Sequence, residues 1–381
     1  MADDLPDWNL DDDELRRAGS IKWTFAGPRI LPAWVAEMDV RPAPAVRAAL
    51  LDAVERGALG YPMPDAASGL PEATAAFVGR RFGLPVDPAR VISCGDVMAG
   101  VRLTLEVLCD PGPVVVPTPA YPPFLQVPEV TGRGLITVPC RGRDLDVEAI
   151  GAALAAGGRT VLLSAPHNPL GRAFTATELT ALRDVVLAHG ARVISDEIHA
   201  PIVLGDTRHV PYASIEGTEG HVTTVLAASK AWNIPGVKCA QVIAGNPADL
   251  AALRAAPLVA NHGTSPLGVV ATVAAYTDAD TWLDALLRDL AERREQFGSL
   301  LAQRLPQVSW TPHEATYLAW VDARGTGLAD PSATALAEAA VMVHPGRLFG
   351  QGYEGFARVN LATSAERLER IVDRLARAWG G

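Results

Sequence analysis

Cysteine is scarce, with four in 381 residues. Cys94, Cys109, Cys140 and Cys239 stand far apart, without the Cys-x-x-Cys spacing of a zinc or redox site. They read as buried free thiols of a cytoplasmic protein rather than a disulfide framework, and no metal is expected. No apolar run is long enough to span a bilayer before Gly, Pro or charge interrupts it. The opening, Met1-Ala-Asp-Asp-Leu-Pro-Asp7, is acidic and puts no basic region ahead of an apolar core, so it does not read as a signal peptide. Long basic clusters are missing too. With Lys+Arg 33 against Asp+Glu 43 the formal net charge is −10, which argues against a nucleic-acid surface. The rest is ordinary for a soluble globular enzyme: 49% apolar and 20% charged residues, and length enough for a sizeable core and two domains.

Short apolar runs recur at Val91–Cys94, Val114–Val116, Thr160–Ser164, Arg192–Ser195, Val222–Leu226 and Gln241–Ala244. Most are continuous rather than alternating, the pattern of strands buried on both faces. Helical stretches lie between them, such as Thr177–His189, which opens on a Thr cap and closes at Gly190. Strand, helix, strand in succession predicts a mainly parallel sheet with helices on both sides. Ligands of such sheets gather at the carboxyl ends of the strands. Beyond about residue 270 the texture changes. A long amphipathic helix starts at Asp280, a strand pair is expected around Thr316–Trp320 and Phe356–Asn360, and a helix from Ser364 to Trp379 closes a smaller α+β part. The Ala- and Gly-rich stretch Ala149–Gly158 reads as a short helix and turn.

Three motifs sit at the ends of successive strand-like runs. They are His167-Asn-Pro-Leu-Gly-Arg172, Ser195-Asp-Glu-Ile-His199 and Leu226-Ala-Ala-Ser-Lys-Ala-Trp-Asn-Ile-Pro-Gly-Val-Lys238. An amide, an acid with a histidine close behind, and a lysine, in that order, are what a pyridoxal phosphate site requires. Lys230 supplies the Schiff base, Asp196 keeps the pyridine nitrogen protonated, and Asn168 faces the ring oxygen. Each alone has a plainer reading: a surface lysine, a turn aspartate with Glu197 competing beside it, an Asn-Pro turn. Asn168-Pro169 is also a candidate for a cis bond.

On these motifs the chain resembles the fold-type I pyridoxal phosphate enzymes. Within them it is similar to the bacterial cystathionine β-lyase/C–S lyase branch of the class I/II aminotransferase superfamily. The likeness extends to Leu31-Pro-Ala-Trp-Val-Ala-Glu-Met-Asp39, Gly60-Tyr-Pro62, Thr118-Pro-Ala-Tyr-Pro-Pro-Phe124, Ala315–Asp322, His344–Gly350 and Gly355–Asn360. The Trp34–Asp39 segment and His199 separate this branch from ordinary aminotransferases. Glu37, Val40 and Leu170 depart from its usual Asp, aromatic and Thr, and Val40 bears on substrate preference. The resemblance implies an α/β fold with a mainly parallel, mixed seven-stranded sheet covered by helices, plus a smaller α+β domain. The large cofactor-binding domain would span 46–275, and the small one 1–45 with 276–381.

The same resemblance distributes the roles. Tyr121 stacks on the cofactor ring. Gly95, Asp96 and Val97, where a strand meets a helix, cap the phosphate with main-chain N–H groups, although the Asp96 carboxylate must then turn away from it. Ser229 and Lys238 add a hydroxyl and a cation, and Tyr61 reaches the phosphate from the neighbouring subunit of a homodimer. Arg358 clamps the substrate α-carboxylate with its guanidinium fork. Trp34, Asp39 and Val40 line the substrate side, with Trp232 near Val40. His199 positions the ring oxygen or a water, or is a satisfied structural histidine, and Arg172 is structural. The activity implied is β-elimination of an amino-acid thioether, cystathionine or another cysteine S-conjugate, to thiol, pyruvate and ammonia. A class I/II aminotransferase needs nearly the same residues, and a regulatory or partner-binding protein on this fold is a third reading, opposed by the intact residue set. A nucleotide-binding α/β protein is disfavoured by the missing Gly-x-Gly-x-x-Gly after the first strand.

Overall fold

The computed structural model describes residues 5–380, so Met1–Asp4 of the acidic opening and Gly381 lie outside the described residues. The strands in chain order are β1 (Leu31–Ala33), β2 (Val91–Cys94), β3 (Val114–Thr118), β4 (Leu135–Pro139), β5 (Thr160–Ser164) and β6 (Arg192–Asp196). They continue as β7 (Val222–Leu226), β8 (Ala240–Ala244), β9 (Ser309–Trp310), β10 (Leu318–Asp322), β11 (Val341–Pro345) and β12 (Phe356–Asn360).

A seven-stranded sheet runs in the order β2-β8-β7-β6-β5-β3-β4, parallel except for β8, which lies antiparallel to β2 and β7. Strands β3, β5, β7 and β8 are buried along their whole length, as continuous apolar runs between two helical layers require. Edge strand β4, which was not among the expected runs, is mostly exposed, with Val138 its one buried residue. The helix Ala176–Ala188 is capped by Thr175, whose hydroxyl accepts from the Glu178 N–H while the Glu178 carboxylate reaches back. The cap therefore stands two residues before the expected Thr177, and Gly190 beyond the helix takes φ 59°.

The second sheet, in the order β1-β11-β12-β10-β9, is larger than the single pair expected from the sequence. β1 joins it from the far end of the chain, parallel to β11 with Leu31 opposite Val341. In β12, Ala357 and Val359 pack into the core of this unit. Side chains alternate across a strand, so Arg358 and Asn360 turn to the other face, toward the large sheet. The helix Asp280–Arg304 and the helix Ala365–Trp379, capped by Ser364, cover the core side. Among the described residues no helix is long and apolar enough to cross a membrane.

Candidate active site

Strands β5, β6 and β7 are in register, with Ser164 beside Asp196 and Asp196 beside Val225, so their carboxyl ends finish level. Asp196 ends β6, and the loops leaving β5 and β7 carry Asn168 and Lys230, so that all three meet at one cavity of about 480 Å³. Arg358 enters it from the small sheet, and Tyr121 from the loop after β3. Asn168-Pro169 is cis, as are Thr118-Pro119 and Ala165-Pro166.

Asp196 is buried, and in the described structure its carboxylate has one hydrogen-bond donor, the Ile198 N–H on Oδ1 at 3.0 Å. Burial outweighs that bond and, with Glu197 next to it, pushes the carboxyl up to about 7. Glu197 itself is committed elsewhere, to Ser195 Oγ, the Tyr212 N–H and His209 Nε2, so the first acid and not the second faces the cavity. Lys230 is pushed down to about 8 by burial and by the Arg358 charge, and its Nζ donates to the Ala36 carbonyl at 3.0 Å. His199 lines the cavity with Nδ1 unpartnered; burial, then Lys230 and Arg358, lower it to about 3, so it is a neutral imidazole.

Arg358 is 2% exposed. Nη1 donates to Asn168 Oδ1 at 3.0 Å, Nη2 donates to the Trp34 carbonyl at 3.1 Å, and the guanidinium lies 5.0 Å over the Phe349 ring. Burial lowers it to about 10, which still leaves it charged at neutral pH. Its partners in the described structure are an amide and a carbonyl rather than a carboxylate, so a buried cation faces the cavity with room for an anionic partner.

At the other end, Gly95 lies so close to Gly263 that a Cβ would stand 2.9 Å from the Gly263 carbonyl oxygen. The helix Val97–Leu108 begins here with Asp96 as its N-cap, accepting from the Ala99 N–H. The other Asp96 oxygen meets Lys238 Nζ at 2.7 Å, so the carboxylate is turned onto its own helix and a cation. Both partners are about half exposed, and such a pair holds weakly enough for Lys238 to share with a phosphate. Ser229 lines the same end. Helix N-terminus, hydroxyl and cation fit a phosphate, and the buried acid, lysine, amide and aromatic fit a pyridine ring with a carbonyl arm. The residues therefore fit pyridoxal phosphate.

Two expectations are corrected. Asp39 is fully buried, bonded to Lys22 Nζ at 2.9 Å and Trp23 Nε1 at 2.7 Å, and does not reach the cavity. Val40 packs in the core, as does Trp232, edge-on against the stacked Phe77 and Tyr276 rings, so neither forms the substrate wall of this protomer. Trp34 contributes its carbonyl to Arg358, while its ring stacks on His344. The wall on that side is Val35, Gln126, His344 and Leu348, none of which the sequence singled out as a site residue. Tyr61 is 98% exposed and does not line the cavity of this protomer. Arg172 is structural as expected, paired with Asp144, Glu178 and Glu314.

Comparison with known proteins points the same way. The chain is 38% identical over 366 residues to the cystathionine beta-lyase of Corynebacterium glutamicum, covering 96% of this chain and 98% of the relative. It is 32% identical to cystathionine beta-lyase PatB of Bacillus subtilis, covering 92% and 95%. Among solved structures, a Corynebacterium diphtheriae protein assigned as a PLP-dependent beta-cystathionase superposes with TM-score 0.94 at 37% identity, covering 98% of each chain. The PLP-bound C-S lyase of Staphylococcus hominis superposes with TM-score 0.90 at 25% identity, covering 97% and 99%. The family described as Aminotransferase class I and II matches residues 35–375. Since that span holds both sheets apart from β1, and every strand end that feeds the cavity, the chain belongs to the class I and II aminotransferase family.

Proposed function

We propose that the protein is a pyridoxal-phosphate-dependent carbon–sulfur β-lyase, cleaving cystathionine or another cysteine S-conjugate with water to thiol, pyruvate and ammonia. The observation that carries this reading is the convergence of Lys230, Asp196, Asn168 and Arg358 on one cavity, in a chain similar along nearly its whole length to cystathionine beta-lyases. When bound, the cofactor supplies an electron sink that makes the substrate Cα–H acidic.

The chain's own residues do the rest. Lys230 anchors the cofactor and, once released by a substrate amine, takes the Cα proton on Nζ; an amine titrating at about 8 is partly neutral at working pH. Asp196 would hold the proton on the pyridine nitrogen. Asn168, oriented by the Arg358 Nη1 bond, would hold the ring oxygen. Arg358 clamps the α-carboxylate, which fixes the Cα–H bond relative to the ring. Tyr121 would pack on the ring, and Gly95–Val97, Ser229 and Lys238 would hold the phosphate. His199, neutral, orients a neighbouring oxygen.

The exposed Tyr61 supports a homodimer with shared sites, in which it reaches the other subunit's phosphate. The two sheets support a division into a cofactor domain, 46–275, and a smaller domain built from 1–45 and 276–381. The cysteines support a cytoplasmic setting. The test is product analysis on cysteine thioethers without added keto acid. Thiol, pyruvate and ammonia in equal amounts are expected. Turnover that requires a keto acid and leaves the C–S bond intact would replace the lyase by an aminotransferase.

A further inference from the structure

Tyr317 is buried and does not line the cavity, yet it meets the catalytic lysine through one atom. Its hydroxyl donates to the Ala36 carbonyl at 3.0 Å, and Lys230 Nζ donates to the same oxygen at 3.0 Å. That oxygen is held on purpose-built terms. The chain bends at Val35 and Ala36, where the Glu37 N–H donates to the Val35 carbonyl at 2.9 Å. Val35 and Glu37, flanking Ala36, both accept from Asn360 Nδ2 at 2.6 Å, which pins the bend and leaves the Ala36 carbonyl between them to accept from Lys230. Asn233, three residues after Lys230, takes the Met38 N–H and carbonyl at 2.9 Å each. The buried Lys22–Asp39 pair fixes the far end, with Lys22 Nζ also on the Glu37 carbonyl.

We propose that Tyr317 is a positioning residue for Lys230. By occupying one acceptor site of the Ala36 carbonyl, its hydroxyl leaves the ε-amine a single direction and limits how strongly that oxygen holds the ammonium form. A carbonyl oxygen accepts two hydrogen bonds. With the phenol gone, a buried acceptor site falls free beside a buried amine, and the charged donor gains most by taking it. The amine then becomes more basic, and less of it carries the free lone pair needed to take the Cα proton. The inference rests on Lys230 being that base. Tyr317 does not line the cavity, and its contact with the amine runs through Ala36; Arg358, Glu37 and Asp196 are the charged groups that face Lys230, and Tyr317→Phe leaves all three in place.

Tyr317→Phe keeps the ring and its packing. In the apoprotein, competitive acetylation of lysines across neutral to alkaline pH, with the Lys230 peptide read by mass spectrometry, gives the amine's midpoint without any turnover. It should rise by roughly half a unit to one unit. In the loaded enzyme near neutral pH, kcat should fall on the order of three- to tenfold with KM unchanged, and recover as pH rises. Asn360→Ser releases Val35 and Glu37, lets the Ala36 carbonyl turn away, and should move the Lys230 midpoint the opposite way, to lower pH. General loosening of the fold would shift both variants alike. A midpoint that stays put or falls in Tyr317→Phe overturns the proposal. Borohydride fixing the cofactor to a lysine other than Lys230 in the unaltered protein would instead overturn the functional reading on which it rests.

Discussion

Asp196→Asn should stabilise the cofactor-free protein while disabling the enzyme. Asp196 is buried with a single main-chain donor, and its carboxyl is raised from about 3.8 to about 7. The folded apoprotein therefore binds this proton more tightly than the unfolded chain does. The stability it contributes is fully present below about pH 3.8 and is lost as pH rises through about 7. A shift of roughly three units, at about 1.4 kcal/mol each, sets a ceiling of about 4 kcal/mol for the cost of ionising it in place. Asparagine has no charge to bury, so the variant apoprotein should gain about 2–4 kcal/mol near pH 8, or about 3–5 °C in melting temperature for a chain of this length. The same variant loses the counter-charge that keeps the pyridine nitrogen protonated, so turnover should fall by orders of magnitude. Thermal melts of both apoproteins from acid to mildly alkaline pH check this. The curves should meet at low pH and diverge above it. Parallel curves, or an Asn variant less stable near pH 8, would show that the buried carboxylate is compensated within the fold and is not held ready for a cation.

Lys230→Ala should abolish turnover and the borohydride-fixable visible band, and in the unaltered enzyme kcat should rise with pH through about 8 as the lysine becomes neutral, read from a pH–rate profile. Arg358→Ala should raise KM for α-carboxylate substrates by roughly ten- to a hundredfold, with a much smaller penalty for decarboxylated analogues. Because Arg358 also holds Asn168, that variant should shift the pH midpoint of the cofactor's absorbance, measured by titration without substrate. Mixing a dead Tyr61 variant with a dead Lys230 variant should restore up to about a quarter of wild-type activity on subunit exchange, since a mixed dimer keeps one intact site. A fully active monomer in sedimentation would exclude that arrangement.

The large sheet was legible because its strands obey one rule. Each expected run from Val91 to Ala244 is a strand, and the continuous apolar texture matches burial on both faces. The strand that escaped, β4, carries an apolar run, Leu135-Ile-Thr-Val138, like the others, but lies mostly exposed at the edge of the sheet. The small sheet was half legible for a different reason. Only three residues of β1 pair with β11, some three hundred positions away, and two-residue β9 has no periodicity to detect. Short, non-local pairings leave no local pattern.

Within the site, legibility followed the kind of atom that does the work. Lys230, Asp196, Asn168 and Arg358 act through side chains, so the order of an amide, an acid and a lysine at successive strand ends marked the first three, and the resemblance marked Arg358. The Trp34–Asp39 segment was marked as well, but for the wrong atoms. Its acid is committed to Lys22 and Trp23, whereas its main-chain carbonyls at Trp34 and Ala36 meet Arg358 and Lys230. A carbonyl is present at every residue, so nothing in a sequence announces that one in particular matters. The indirect sign is the donors placed to hold it. Asn360 lies two residues beyond Arg358 and Asn233 three beyond Lys230, so each catalytic cation has its own asparagine gripping the same segment. That arrangement ties the two cations' elements to one length of main chain. Displacing the segment at either asparagine should therefore disturb both the clamp and the base, a coupling that no pair of side chains in the cavity provides by itself.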